Sequence, residues 1–316
     1  MIQYIIITFL LFLLELVYFR IADKFNIIDK PNQRSSHTTI TLRGGGILFY
    51  LGMILYAAFF GFAYPWFLLG LTLIALISFA DDIRPLSSKV RLVFHFSAMA
   101  LMFYQWGMFG MPWWYIAIAL IFCTGIINAY NFMDGINGIT GGYSLAVLLP
   151  LIYLNRSLNF IDPNLLYVAT LSVLVFNFFN FRKRAKCFAG DVGSVSIAFI
   201  ILFALGKLIL ETQNLTYMML LAIYGVDSVL TIIHRIMLGE QIMQPHRKHA
   251  YQLMANELKI PHVVVSSFYM VLQLTVSVGL FVFADSSWTY AGISLLILAL
   301  GYIGFKRKYF YLHQMV

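Results

Sequence analysis

The chain has 316 residues, of which 61% are hydrophobic, 17% aromatic and only 11% charged, with a mean hydropathy of +0.84. Soluble domains carry about 25% charged residues, so this composition excludes a water-soluble enzyme and a disordered chain. The net charge of +8 would suit a nucleic-acid partner, but its distribution along the chain assigns it instead to membrane topology and anionic headgroups, with no nucleic acid.

A hydrocarbon core of about 30 Å takes roughly 20 apolar residues per helix. At that scale eleven candidate spans follow one another: 2–20, 46–64, 66–80, 92–106, 112–127, 142–154, 165–181, 195–210, 215–233, 262–283 and 288–305. The fold class is therefore all-α, a polytopic integral membrane protein with about eleven transmembrane helices. The shortest spans also fit re-entrant segments, and a count of ten would reverse one terminus.

Cytoplasmic loops retain Lys and Arg. Nineteen of the 21 basic residues follow odd-numbered spans, leaving Arg156 and Lys207 on the other side. This places the N-terminus outside and the C-terminus in the cytoplasm. The first span has no positive charge before it and Arg20 after it, the reverse of a signal peptide, so it is expected to be retained. Cys123 and Cys187 give no metal spacing. Residues 1–316 show no repeat of 20 to 50 residues and read as one domain.

The polar side chains then sort to one face. Asp81, Asp82, Asn128, Asn131, Asp134, Asp191, His37, His234, His246 and His249 all fall at cytoplasmic span ends, whereas Asp162, Glu211 and Asp285 lie outside. In chain order, "DKPNQRSSHTTITLRGGG" (29–46) brings Lys30, Arg34, His37 and Arg43 before span 2. "FADDIRPLSSKVR" joins the adjacent carboxylates Asp81 and Asp82 to Lys89 and Arg91, an arrangement suited to acid or metal contact beside cations for phosphate. "NAYNFMDGING" spaces Asn128, Asn131 and Asp134 by three, one helical face, before Gly135 and Gly138 open the backbone. Oxygen ligands of this kind suit Mg2+. "FAGDVGS" sets Asp191 between glycines at a helix start, where free N–H groups can meet phosphate. Asp227 lies inside span 9, where an unpaired carboxylate is costly. "QPHRKHAYQ" offers His246, Arg247, Lys248 and His249 for anion or sugar recognition. Each stretch alone also reads as a helix cap or a basic juxtamembrane patch; their convergence on one interface argues for a site.

Five motifs in this order, "DKP…R…H…RGGG", "DD", "NAYNFMDGINGITGG", "GDVGS" and "HR…G…HRKHAYQ", resemble the polyprenyl-phosphate N-acetylhexosamine-1-phosphate transferases over most of the chain. The resemblance implies an enzyme of the bacterial cytoplasmic membrane that moves a sugar 1-phosphate from a UDP-N-acetylated sugar to undecaprenyl phosphate and releases UMP, its active site at the cytoplasmic face. It implies Mg2+, with Mn2+ as the alternative, on Asn131 and Asp191; Asp81 or Asp82 orienting or deprotonating the lipid phosphate; Lys89 on phosphate; Asn128 and Asp134 shaping the nucleotide site; and His246, Arg247 and His249 facing the sugar. A homodimer is one admissible assembly. The pentapeptide transferase has three consecutive histidines where Arg247 and Lys248 here separate His246 from His249. The "HRKHAYQ" form looks more like the branch that initiates O-antigen or related surface polysaccharides in cell-envelope biogenesis. The rival classes are a secondary transporter, whose polar groups would sit at the bilayer midplane in repeated halves, and a CDP-alcohol phosphotransferase, whose Ala-Arg and later acids are missing after "DG".

Overall fold

The computed structural model describes residues 1–31, 36, 39–242, 244 and 246–314. Of the residues singled out above, Arg34 and His37 lie outside the described residues. Among those described, eleven helices of 14 residues or more run in sequence: α1 Ile2–Lys24, α2 Ile47–Phe60, α3 Pro65–Ile83, α4 Ser88–Gln105, α5 Trp113–Met133, α6 Ile139–Leu158, α7 Pro163–Asn180, α8 Gly190–Thr212, α9 Ala222–Met237, α11 His262–Val282 and α12 Ser287–Gln314. Between α9 and α11 a single turn, α10 Ala250–Gln252, continues into a π turn, Leu253–Glu257. A two-stranded antiparallel ribbon, β1 Ile28–Asp29 with β2 Thr41–Leu42, folds the first loop back.

Eight of these segments are long and apolar enough to cross a membrane. The shorter α2 is apolar as well. The expected spans 92–106 and 142–154 fall on α4 and α6, which are outside the eight. Both carry polar residues, Lys89, Arg91 and His95 in the first and Asn155 and Arg156 in the second. The helices also run further than the apolar runs that announced them. α3 extends to Ile83, α5 to Met133, and α8 begins at Gly190, so the polar motifs occupy terminal helical turns.

Local chemistry sets the boundaries. Gly61 at φ 95° ends α2 and Pro65 opens α3 at its first turn, where the missing N–H costs nothing. Asp162 caps α7 by accepting from the Asn164 amide.

Because lipid is as apolar as leucine, helices in a bilayer associate through close packing of small residues. α8 is the axis of the bundle, with 83% of its apolar window buried, against 11% for α12 and 22% for α5. It packs against α2, α3, α5 and α6. At its start Gly193 meets Gly46 so closely that a Cβ on Gly193 would lie 2.6 Å from the Gly46 Cα. That contact puts the first turn of the central helix against the loop before α2, and the polar end of the bundle is built around it.

Candidate active site

The arrangement starts from Asp82, on the last turn of α3 with no side-chain exposure. Its two oxygens accept from the backbone amides of Asp191 (2.9 Å) and Val192 (3.0 Å) at the start of α8. A buried carboxylate is retained only when paired and hydrogen-bonded, and a helix N-terminus supplies free N–H groups with a positive dipole end. The third partner is Arg43, whose Nε lies 2.6 Å from Asp82 Oδ1 and whose terminal nitrogen lies 3.0 Å from Asp191 Oδ1.

The glycine run 44–46 explains how Arg43 gets there. Gly45 N donates to the Phe188 carbonyl and Gly46 N to Ala189, so the loop lies directly on the chain entering α8. A side chain on Gly46 would meet the Ala189 carbonyl at 2.8 Å. Gly44, at φ 81°, takes the left-handed turn that this path requires.

Asp81 does a different job. It is more accessible, accepts from the Leu86 amide, and lies 2.9 Å from Arg91, which also reaches Asp191 Oδ2 at 3.6 Å. Asp191 thus stands between two guanidinium groups, on α8's first turn.

The third wall is the α5–α6 junction. α5 unwinds after Met133, and Gly138 at φ 83° turns the chain into α6, its amide donating to Asn180 Oδ1. Asp134 accepts from the Thr140 hydroxyl at 2.6 Å. Burial pushes its carboxyl from the ordinary 3.8 up to about 7, against the lowering effect of that hydrogen bond. Asn137 donates to the carbonyls of Arg182 and Lys183, fixing the loop that leads to α8. Asn131, Asp134, Asp191, Arg43 and Asp29 line one cavity of about 300 Å³ that opens at this end of the bundle.

The loop after α9 closes the fourth side. Buried Arg235 binds Glu240 and three loop carbonyls, those of Gln241, Ile242 and Gln244. Lys248 pairs with Glu240, and Lys306 of α12 with the Lys248 carbonyl. Asp227 accepts from the Ala250 amide, the Thr231 and Tyr269 hydroxyls and His249 Nδ1. His249 is therefore a buried ring with Nδ1 on a carboxylate and Nε2 without a partner among the described residues. The His246 ring centroid lies 5.0 Å away. Burial, then the charges of His249 and Arg235, push its pKa down to about 3, which leaves the ring neutral at pH 7. Tyr251 joins loop to cavity, its hydroxyl donating to the Phe132 carbonyl while its ring covers Gly135.

The candidate residues from sequence thus divide by position. Asn131, Asp134 and Asp191 share the cavity, and Asp81 and Asp82 stand directly behind Asp191. Asn128 is exposed on α5, outside the cavity lining. Lys89 is exposed on the first turn of α4, while Arg91, two residues on, is the cation that reaches the acids. His249 is buried, and Arg247 is half-buried beside it. Sequence reasoning counted Arg43 only as a loop charge. It passed over Glu15, a fully buried α1 carboxyl that accepts from the Cys187 thiol behind Gly45; an acid inside a predicted span was the available signal.

The donors suit a hard divalent cation. Mg2+ binds through one or two carboxylates, keeping waters and substrate phosphates as its other ligands. Among the described residues no three His, Cys, Asp or Glu side chains converge on one point as metal ligands. Asp191 together with the Asn131 amide, which lines the cavity and has no side-chain hydrogen bond among the described residues, supplies oxygen donors of the required kind.

A many-helix bundle with carboxylates, guanidinium groups and a polar cavity at one end has the charges and the space to receive a phosphate-bearing ligand. Residues 64–208 match the model of glycosyl transferase family 4. That match supports the likeness of the five ordered motifs to the polyprenyl-phosphate N-acetylhexosamine-1-phosphate transferases. It is 27% identical over 259 residues, 75% of this chain and 72% of the relative, to the "Probable undecaprenyl-phosphate N-acetylglucosaminyl 1-phosphate transferase" of Bacillus subtilis (strain 168). It is 27% identical over 279 residues, 78% of this chain and 75% of the relative, to the undecaprenyl-phosphate alpha-N-acetylglucosaminyl 1-phosphate transferase of Escherichia coli (strain K12). The protein of that name from Salmonella typhi is 26% identical over 263 residues, 74% of this chain and 70% of the relative.

Proposed function

We propose that this chain transfers an N-acetylhexosamine 1-phosphate from a UDP-sugar to undecaprenyl phosphate, yielding an undecaprenyl-diphosphate sugar and UMP, as the first step of a cell-envelope polysaccharide. The observation that carries the reading is the meeting of Arg43, Asn131, Asp134 and Asp191 in one cavity at one end of the bundle, with Asp81 and Asp82 directly behind Asp191, six side chains from four separate segments. The ordered motifs and the names of the relatives support the same reaction.

An oxygen of the lipid phosphate forms a bond to the sugar-bearing phosphorus of the UDP-sugar. The bond from that phosphorus to the bridging oxygen breaks, and the electron pair leaves with UMP. Phosphoryl transfer asks a protein chiefly to position the groups and neutralise their charge. A phosphate monoester has its second pKa near about 6, so a strong base is not required. Asp81, the more accessible acid of its pair, is assigned to orient the attacking phosphate, and Asp82 to hold the α8 start and with it Asp191. Arg43 and Arg91 face the diphosphate. A divalent cation, Mg2+ or Mn2+, on Asn131 and Asp191 would neutralise charge on that diphosphate. The neutral His246 with His249 and Arg247 is assigned to the sugar, since a neutral imidazole can exchange hydrogen bonds with hydroxyl and acetamido groups. The cavity end is assigned to the cytoplasmic face on the basic-residue asymmetry.

The test is radiolabel transfer from UDP-GlcNAc into butanol-soluble lipid by purified protein in the presence of undecaprenyl phosphate. Label should appear with Mg2+, vanish with EDTA and return on adding Mg2+. Transfer that persists in EDTA removes the metal, and no transfer from any UDP-N-acetylhexosamine removes the reaction.

A further inference from the structure

Arg43 has a fixed base and a movable tip. Its amide donates to the Ile27 carbonyl at 3.0 Å, its own carbonyl accepts from the Tyr18 hydroxyl, and the next residues are pinned to Phe188 and Ala189. Its side chain, by contrast, is one-third exposed and lines the cavity. Its fork reaches two carboxylates from different helices at once, Nε to Asp82 and a terminal nitrogen to Asp191. A lysine, as a point charge on a flexible stem, cannot make both contacts in this geometry.

The two carboxylates differ in what else holds them. Asp82 keeps two backbone amides even if Arg43 leaves. Asp191 has no backbone amide on its oxygens among the described residues; they face Arg43, the Asp81 carboxyl and, more distantly, Arg91. Asp191 is also the carboxylate that, with Asn131, best fits a divalent cation. A guanidinium and a dication cannot share one carboxylate without mutual repulsion.

We infer that Arg43 is a positioning residue in competition with the metal: it neutralises and orients Asp191 until a divalent cation takes that carboxylate, and its released guanidinium then turns about its fixed base to the diphosphate in the same cavity. The inference rests on the proposed transferase reading for the identity of the diphosphate, but the competition itself does not. One residue thereby serves two states, holding Asp191 before loading and the diphosphate after it.

Competition predicts opposite signs for metal affinity and activity. Mn2+ alone would be titrated into purified full-length protein in detergent without nucleotide, free Mn2+ being counted by electron paramagnetic resonance. Arg43→Ala should bind Mn2+ roughly three- to tenfold more tightly than wild type, the scale of a partly exposed ion pair lost near the ion. Its transfer activity at saturating Mg2+ should nevertheless fall at least about tenfold. Arg43→Lys should keep wild-type Mn2+ affinity to within about twofold and share the loss of activity. Thermal unfolding of each variant is followed in parallel, and if Arg43→Ala does not fold, Arg43→Gln takes its place in the Mn2+ titration. Unchanged or weaker Mn2+ binding in a folded neutral variant overturns the inference, as does a wild type that binds no Mn2+. Tighter binding in a protein that transfers no sugar phosphate would leave the competition standing and remove the transferase reading.

Discussion

Replacing Asp82 by Asn tests whether the adjacent acids divide their work between architecture and chemistry. Asp82 is fully buried and receives three donors, the Asp191 amide and Arg43 on Oδ1 and the Val192 amide on Oδ2. An amide offers one acceptor oxygen, so in either rotamer its NH2 faces a donor it cannot satisfy. A buried, unsatisfied N–H costs about 1 to 3 kcal/mol. Loss of the anion at the α8 N-terminus adds about 0.3 to 1 kcal/mol, and loss of the pair with a one-third-exposed Arg43 up to about 1 kcal/mol. The sum is about 1 to 5 kcal/mol. Asp81→Asn can keep its Leu86 hydrogen bond through the remaining oxygen and loses only a pair with the partly exposed Arg91, at a cost of about 1 kcal/mol or less. The assay is reversible unfolding in mixed micelles by increasing SDS, read by helical circular dichroism, with transfer activity measured on the same preparations. Asp82→Asn should unfold at clearly lower SDS. Asp81→Asn should unfold near wild type yet lose about 10²-fold in kcat, the scale for a misplaced reacting group. Equal stability of the two variants would refute the division, and so would a wild-type-like Asp82→Asn.

Asp134 sets a pH dependence. Its carboxyl sits near 7 when folded against 3.8 ordinarily, so the native state favours the protonated form. That stabilisation is present below about pH 4 and is lost as pH rises through about 7. Asp134→Asn, in metal-free buffer, should therefore gain thermal stability relative to wild type between pH 5 and pH 8; a difference that does not change with pH contradicts the burial argument. In the loop, Arg247→Ala and His249→Ala should alter kcat/KM unequally among UDP-GlcNAc, UDP-GalNAc and a 6-deoxy analogue, by roughly 10- to 150-fold for a lost charged hydrogen bond of about 1.5 to 3 kcal/mol. UMP inhibition should hardly move, and an equal loss on all three sugars would point to phosphate instead. Reporter fusions after residues 85, 185 and 255 should read cytoplasm and those after 108, 160 and 286 the other side; a cytoplasmic signal at 108 or 286 would break the eleven-span map.

Hydropathy and helical period are local quantities, and they were enough to establish an all-helical membrane chain and to locate its helices. The spacing of Asn131 and Asp134 by three likewise announced a shared position, because three residues bring a helix almost back to the same face, and both line the cavity. Contacts between distant segments were beyond the reach of such reasoning. Asp82 and the Asp191 amide are 109 residues apart, and only that meeting makes Asp82 the cap of α8 while leaving Asp81 to Arg91. Lys89 was the cation assigned to phosphate, with Arg91 beside it, while the apolar run seemed to begin at residue 92. Once α4 starts at Ser88, residues two apart point to different sides of the helix, and only Arg91 meets the acids. Sequence assigned His249 to face the sugar; its burial on Asp227 depends on how α9, α10 and α11 pack. Composition and period specify which segments enter the membrane, since each helix satisfies its own backbone there. A polar side chain's role depends on the partner it meets across the bundle, and that partner is set by close glycine contacts such as Gly46 on Gly193.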